Sequence, residues 1–241
     1  MKKMFMAVIA LMMTISASAQ FYIYCSDGYV IKVDSISMIA PDEPVNNGHE
    51  YVDLGLSVKW ATCNVGATKP EEYGDYFAWG ETQPNDYYDY DWSTYKWCNG
   101  SHNTQTKYCT DSYYGTVDNK TQLELSDDAA RANWGGSWRM PTRAEQDELR
   151  NKCTWTWTTQ NGVKGHKVTS QSNGNSIFLP AAGYRNSSGL NYAVISGYYW
   201  SSSLDTDIPY IAYNLHFGSS HADLNSDRSR FCGLSVRPVC P

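Results

Sequence analysis

Only two stretches of this chain carry the marks of a helix start, and neither opens a long amphipathic run. Ser126 can cap a short helix over 127–132, with Asp127 and Asp128 at the positive end of its dipole. Thr142 followed three residues later by Glu145 forms a capping box for a second helix over 143–153. Elsewhere the signals are short strands and turns. Residues 51–60 read as a hairpin-like opening before a turn at 64–67, 154–158 alternate as a half-buried strand, and 176–180 make another. The last third has strand signals at 198–201, 212–217 and 234–239, whereas 73–121 is aromatic and polar with little periodicity. Such a chain is expected to fold as an α+β domain, a scaffold of short antiparallel strands and two short helices that presents long loops.

The beginning has a separate logic. Residues 1–19 read as a secretory signal: Lys2 and Lys3, an apolar run from Met4 to Ile15, then Ala17-Ser18-Ala19. That run is short of the ~18–20 residues that span a bilayer, and no later segment approaches the length, so no membrane span is expected. Residues 20–40 form a small β segment with a turn at Ser26-Asp27-Gly28, 41–48 a linker, and 49–241 the main domain. Export permits disulfides. Seven cysteines leave at least one unpaired within the chain, and Cys98 with Cys109 could close a local loop. No metal-ligating pattern of His and Cys appears, so no metal or other cofactor is expected. A net charge of −6 with 19 Lys+Arg and no basic stripe argues against a nucleic-acid partner. The 19 Tyr and 9 Trp suit recognition loops, although the cores of loop-rich folds also take up aromatic side chains.

After Trp200 the chain stops using Lys, Glu, Gln, Met and Trp. Residues 20–200 spend 35 of 181 positions on those five types, and the closing 41 residues spend none. Independent draws would produce that gap on the order of once in several thousand tries. The plain reading is a serine- and aspartate-rich stretch of loops. The sharper one is codon chemistry, because these five side chains are the ones that a codon of the form NNY cannot encode. A segment randomised at asparagine codons would lose all five together.

Long ordered motifs carry a family resemblance over about 49–241. They include Val52-Asp53-Leu54-Gly55-Leu56-Ser57-Val58-Lys59-Trp60, Tyr76-Phe77-Ala78-Trp79-Gly80, Gly136-Ser137-Trp138-Arg139-Met140-Pro141-Thr142, Phe178-Leu179-Pro180-Ala181-Ala182-Gly183-Tyr184-Arg185, Gly197-Tyr198-Tyr199-Trp200-Ser201 and Gly233-Leu234-Ser235-Val236-Arg237-Pro238-Val239. In these the chain resembles the Fibrobacter succinogenes major paralogous domain family, exported proteins related to the C-type-lectin-like and formylglycine-generating folds. The tail, 201–241, resembles the variable region of a diversity-generating-retroelement target protein. That resemblance implies retained scaffold at 212–215 and 233–239 and a ligand-binding surface of substituted positions. These are Asp205, Ile208, Tyr210, Ile211, His216, Gly218, Ser220, His221, Asp223, Ser226, Asp227, Ser229 and Cys232, with Phe231 beside Tyr210 as an anchor. The implied partner is a protein or glycan at a cell or phage surface, and the segment 20–48 could add a surface-assembly contact.

Strand geometry suggests the same division. Over 212–217, Tyr213, Leu215 and Phe217 share one face and Ala212, Asn214 and His216 the other, so the first set can be buried with His216 outside. Ile208 and Ile211 would be exposed apolar groups or a small satellite core. Other motifs read as structure. His216 and His221 lack a third ligand, Gln83-Pro84-Asn85-Asp86 is a turn, and Arg139 and Arg237 tie loop carbonyls or a carboxylate through their planar forks. Cys232 with Cys240 superficially matches the reactive pair of formylglycine-generating relatives, but the surrounding motif is absent. Binding is therefore expected rather than catalysis. A structural surface or pilus-associated subunit is the main alternative, with an enzyme behind it.

Overall fold

Among the described residues no sheet has more than three strands, and every ladder between named strands is antiparallel, while isolated bridges such as Gly183↔Gly197 and Tyr199↔Ser235 run parallel. The computed structural model describes residues 21–24, 30–33, 47–86 and 88–241, with backbone alone at 21–24, 30–33 and 225–227. The leader at 1–19, Cys25 and most of the linker lie outside the described residues. The chain divides into two units, Met1–Glu43 and Pro44–Pro241. In the first, β1 (Phe21–Tyr24) pairs with β2 (Val30–Val33) in the register Phe21↔Val33 to Tyr24↔Val30.

The second unit starts with β3 (Tyr51–Val52) and β4 (Lys59–Ala61), and its last strand, β13 (Val239–Cys240), pairs on the free side of β4. The end of the chain is thus laced beside the start of the domain. Helix α1 (Ala129–Trp134) is capped by Asp128, whose carboxylate accepts from the backbone N–H of Arg131 at 3.0 Å and of Met140 at 2.8 Å. This corrects the cap expected at Ser126, which falls inside a preceding 3-10 turn, Leu125–Asp127. Asp127 is drawn inward instead, accepting from Lys107 Nζ and Tyr108 Oη, both at 2.6 Å. Helix α2 (Arg143–Lys152) has the full capping box: Thr142 Oγ1 accepts from Glu145 N at 3.2 Å, and Glu145 Oε2 from Thr142 N at 2.8 Å. Arg139 holds the same Glu145 carboxylate with both terminal nitrogens.

Strands β5 (Cys153–Gln160), β6 (Val163–Ser170) and β7 (Ser176–Pro180) make one sheet in that order. The β5–β6 turn is Asn161-Gly162 with φ of +49° and +86°, the two left-handed positions that a type I′ hairpin demands. A two-stranded ladder, β8 (Tyr184–Asn186) with β9 (Gly189–Asn191), precedes the last sheet. That sheet is β10 (Gly197–Leu204), β11 (Ile211–Gly218) and β12 (His221–Ser229), with β11 in the centre.

Aromatic side chains hold the loops. Trp60, Trp79, Trp138 and Trp200 are sealed in the interior. Trp79 donates its indole N–H to Ser201 O and Trp200 donates to Phe77 O, each at 2.8 Å, so the 77–80 loop and β10 are cross-tied. Buried tyrosines do the same: Tyr199 Oη donates to Pro180 O, Tyr95 Oη to Trp79 O and Tyr76 Oη to Ala182 O, at 2.6–2.7 Å. Burial pushes the Tyr199 phenol up to about 12, so it remains a donor at any physiological pH.

Two arginines complete the frame. Arg237 gives Nε to Asn64 Oδ1, Nη1 to Ala61 O and Thr62 O, and Nη2 to Phe178 O, at 2.8–3.1 Å. Arg230 gives Nε to Tyr95 Oη, Nη1 to Tyr108 O and Pro209 O, and Nη2 to Lys107 O, at 2.8–3.1 Å. Both are essentially buried. The structural role expected of Arg139 and Arg237 is the one they have; Arg230 adds a third that sequence reasoning passed over.

Two further expectations are corrected. The alternation expected in β11 fails because both faces are covered. Ala212 and Asn214 are as buried as Leu215 and Phe217, and the ladder shifts register between Ala212 and Asn214. Cys98 and Cys109 do not bridge: Cys98 Sγ is directed at Trp92 O and Cys109 Sγ at Asp111 O.

Arg237→Met should cost about 3–5 kcal/mol in denaturant unfolding, because four buried acceptors lose their donors at once. A loss under about 1 kcal/mol would contradict the clamp.

Candidate functional site

The segment 205–211 leaves β10 through a turn built by one carboxylate. Asp205 Oδ1 accepts from the N–H groups of Asp207 and Ile208, both at 2.9 Å, and Ile211 N returns to Ile208 O. Arg230 then fixes the far side, its backbone N–H donating to Tyr210 O and its Nη1 to Pro209 O. Thr110 Oγ1 donates to Thr206 O at 2.8 Å and ties this turn to the 100–115 loops. The backbone is held while the Tyr210 ring is only half-buried.

Around that ring stand aromatic groups from the earlier loops. Its centroid is 5.3 Å from His102, 5.4 Å from Tyr114 and 6.2 Å from Trp92. Trp92 meets Phe231 edge-on at 4.9 Å, and Tyr114 meets the exposed Tyr113 at 5.0 Å. With Ile208 exposed nearby in sequence, the result is a rigid, half-wet aromatic surface centred on the two anchors read from the sequence, Tyr210 and Phe231. Trp92, His102, Tyr113 and Tyr114 were not singled out from the sequence. The available signal was the density of aromatic residues in 73–121, but its convergence on Tyr210 depends on the fold.

The second group lies on the β11–β12 hairpin, whose turn is Ser219-Ser220. His216 stacks on Tyr198 at 4.3 Å, and His221 lies edge-on to His216 at 5.0 Å. Ser220, His221 and Asp223 are exposed, and Ser229 is half-buried opposite Ile211. Beneath the turn, His166 is buried among Trp155, Trp157 and Phe217. Its Nε2 lies 2.8 Å from Gly218 O, which only accepts, so Nε2 carries the proton of the neutral ring. Burial lowers the His166 pKa, and His221 adds to the lowering.

Four expected positions face inward rather than outward. Asp205 is consumed by its turn, Ile211 starts β11 against the interior, Cys232 packs in the core, and Gly218 is buried beside the His221 ring. The side chains of Ser226 and Asp227 lie outside the described residues. Among the described residues no group of three or more His, Cys, Asp or Glu is placed to hold a metal ion, and no helix is long and apolar enough to cross a membrane.

Comparison of this chain with protein-family models, with curated proteins and with solved structures gives no match.

Two outcomes are expected. Tyr210→Ala should lower stability by only about 1–2 kcal/mol, the worth of its edge contacts, whereas truncating sealed Trp200 should cost about 3–5 kcal/mol. Because the folded His166 pKa lies below the unfolded value near 6.5, the unfolded chain binds the extra proton. Stability is complete above that pH and falls as pH drops toward the lowered folded value, by at most about 1.4 kcal/mol per pH unit. Unfolding free energies at pH 8 and pH 5 should therefore differ less in His166→Gln than in the parent chain; equal differences would remove His166 from the account.

Proposed function

We propose that this is an exported ligand-binding or adhesion protein, a C-type-lectin-like scaffold whose closing segment displays exchangeable side chains on a fixed frame. The single observation that carries the reading is the setting of Tyr210. Its backbone is pinned by sealed Arg230, while its ring is half-exposed among Trp92, His102 and Tyr114. Rigid aromatic groups with little rotamer freedom give large contact area at low entropic cost, and a few such anchors dominate most interfaces. The ligand class is a protein or glycan surface, with Tyr210 and Phe231 as anchors. His216, Ser220, His221 and Asp223 form a second set of outward groups on the hairpin.

The loss of five residue types after Trp200 supports diversification through asparagine codons. Inward residues such as Leu234, Val236 and Arg237 are the ones such a process must spare. Burial removes Asp205, Ile211, Gly218 and Cys232 from the set of free contact positions; of the others, Ile208, Tyr210, His216, Ser220, His221 and Asp223 are the ones proposed to vary most, with Ser229 half-buried opposite Ile211.

The test is sequence variation together with binding. Gene copies from related isolates should differ chiefly at those six codons and agree at Arg230, Leu234, Val236 and Arg237, beside a near-copy of the DNA for 201–241 that differs at adenines. Tyr210→Ala should weaken adhesion to any cell or glycan surface that the protein binds by tenfold or more. Variation spread evenly through 201–241 would refute diversification.

A second reading, a surface-assembly subunit, draws on the separation of Met1–Glu43 as its own unit with a β-hairpin. It expects removal of 20–48 to abolish assembly while 49–241 still folds.

A further inference from the structure

A groove of about 870 Å³ runs between helix α2 and the β10–β12 sheet, within the ~300–1,000 Å³ common for small-molecule sites. Hydroxyl and amide groups of Thr121, Gln122, Thr142, Ser203 and Thr206 line it, with Gln122 bridged to Ser203 in one wall, together with four charged side chains. The aliphatic lining is limited to Ala144, Leu204 and Leu224, and the one aromatic ring, Tyr213, is covered by Arg143, so the groove has little to anchor an apolar peptide side chain. Rows of small donors and acceptors match a polyhydroxylated ligand better.

The charges are unequal in availability. Arg150 is engaged, with Nη2 2.9 Å from Asp147 and Nη1 4.0 Å from Asp223. Arg143 is different. Its guanidinium lies over the Tyr213 ring, 3.8 Å from the centroid, and no carboxylate among the described residues pairs with it. A guanidinium over an aromatic face can still offer N–H groups to an anion, and the planar fork of an arginine suits a bidentate carboxylate. Asp223 sets the balance: it opposes Arg150 across the groove, is exposed, and lies in the closing segment.

We propose that this groove binds a carboxylated saccharide, a uronate-type sugar. The carboxylate sits on Arg143 and the ring hydroxyls lie against Thr121, Gln122, Thr142 and Ser203. The residue at 223 tunes the preference for charge. Arg143 comes from the helix and Tyr213 from β11, and none of Trp92, His102, Tyr114 or Tyr210 lines the groove, although Thr206 belongs to the turn that leads to Tyr210.

The experiment is calorimetric titration of the full chain with trigalacturonate at low salt, beside its methyl ester, which keeps the rings and removes the charge. The acid should bind with a dissociation constant between micromolar and millimolar, and the ester at least tenfold more weakly. Arg143→Ala should weaken the acid at least tenfold while lowering the melting temperature by no more than a few degrees, since the side chain is exposed and loses only its contact with Tyr213. Arg143→Lys should recover only part of the loss. Asp223→Asn should tighten the acid a few-fold, more at low than at high salt. Tyr210→Ala should leave this titration within twofold of the parent chain, so the groove can stand or fall without the aromatic surface. No binding up to 10 mM (roughly the weak limit of a useful site), equal binding of acid and ester, or an Arg143→Ala chain that binds like the parent would each overturn the proposal.

Discussion

A guanidinium shut away from water must give its N–H groups acceptors that do not move, and the closing segment of this chain carries two such groups. Arg230 and Arg237 are each fully engaged with oxygens drawn from distant parts of the sequence, chiefly backbone carbonyls at Ala61, Thr62, Lys107, Tyr108, Phe178 and Pro209. Neither uses a carboxylate, so the charge is met by fixed dipoles, and displacing any one of those loops would leave a buried donor unpaired. Burial pulls the Arg237 guanidinium below its ordinary pKa, the mark of a charge held at a desolvation cost. The arrangement converts long irregular loops into a rigid body with only short sheets to support it.

That rigidity separates two kinds of residue along the same few turns of chain. Between Ile208 and Phe231 the backbone is held by the Asp205 turn, by Arg230 and by the β11–β12 ladder, while the side chains of Ile208, Tyr210, His216, Ser220, His221 and Asp223 reach solvent wholly or partly. Exchanging an outward group on a pinned backbone costs little. Exchanging Leu215, Phe217 or Cys232 would open or overfill the interior. Under the proposed function a recognition surface meant to change needs this separation, and the aromatic groups of the earlier loops would supply a constant border for it.

Much of the frame could be read from local chemistry. Thr142 and Glu145 announced α2, Ser176 to Pro180 announced β7, and the planar forks of Arg139 and Arg237 suggested the clamps. Other failures were local too. Asn161-Gly162 is a strong hairpin signal, and reading it would have placed β6 opposite β5. Asp128 competed with Ser126 for one cap and won because Asp127 turns inward toward Lys107 and Tyr108. The strand β12 escaped notice because His-Ala-Asp-Leu-Asn-Ser-Asp-Arg-Ser lacks β-branched residues and gains its strand form from pairing with β11. The alternation rule misplaced Ala212 and Asn214 because a central strand covered on both faces and shifted by a bulge has no outer side over that stretch. The aromatic surface itself was half legible: Tyr210 and Phe231 stood out, but their partners lie about a hundred residues away.

The most direct measurement is denaturant unfolding of a chain in which Ile208, Tyr210, His216, His221 and Asp223 are all replaced by serine. If those side chains sit on an independent frame, the transition keeps its slope with denaturant and the loss stays within about 3 kcal/mol, the sum of a few edge contacts. A broadened transition, a changed slope or a loss well beyond that figure would mean that the outward groups hold the fold together, and the division between frame and display would be wrong.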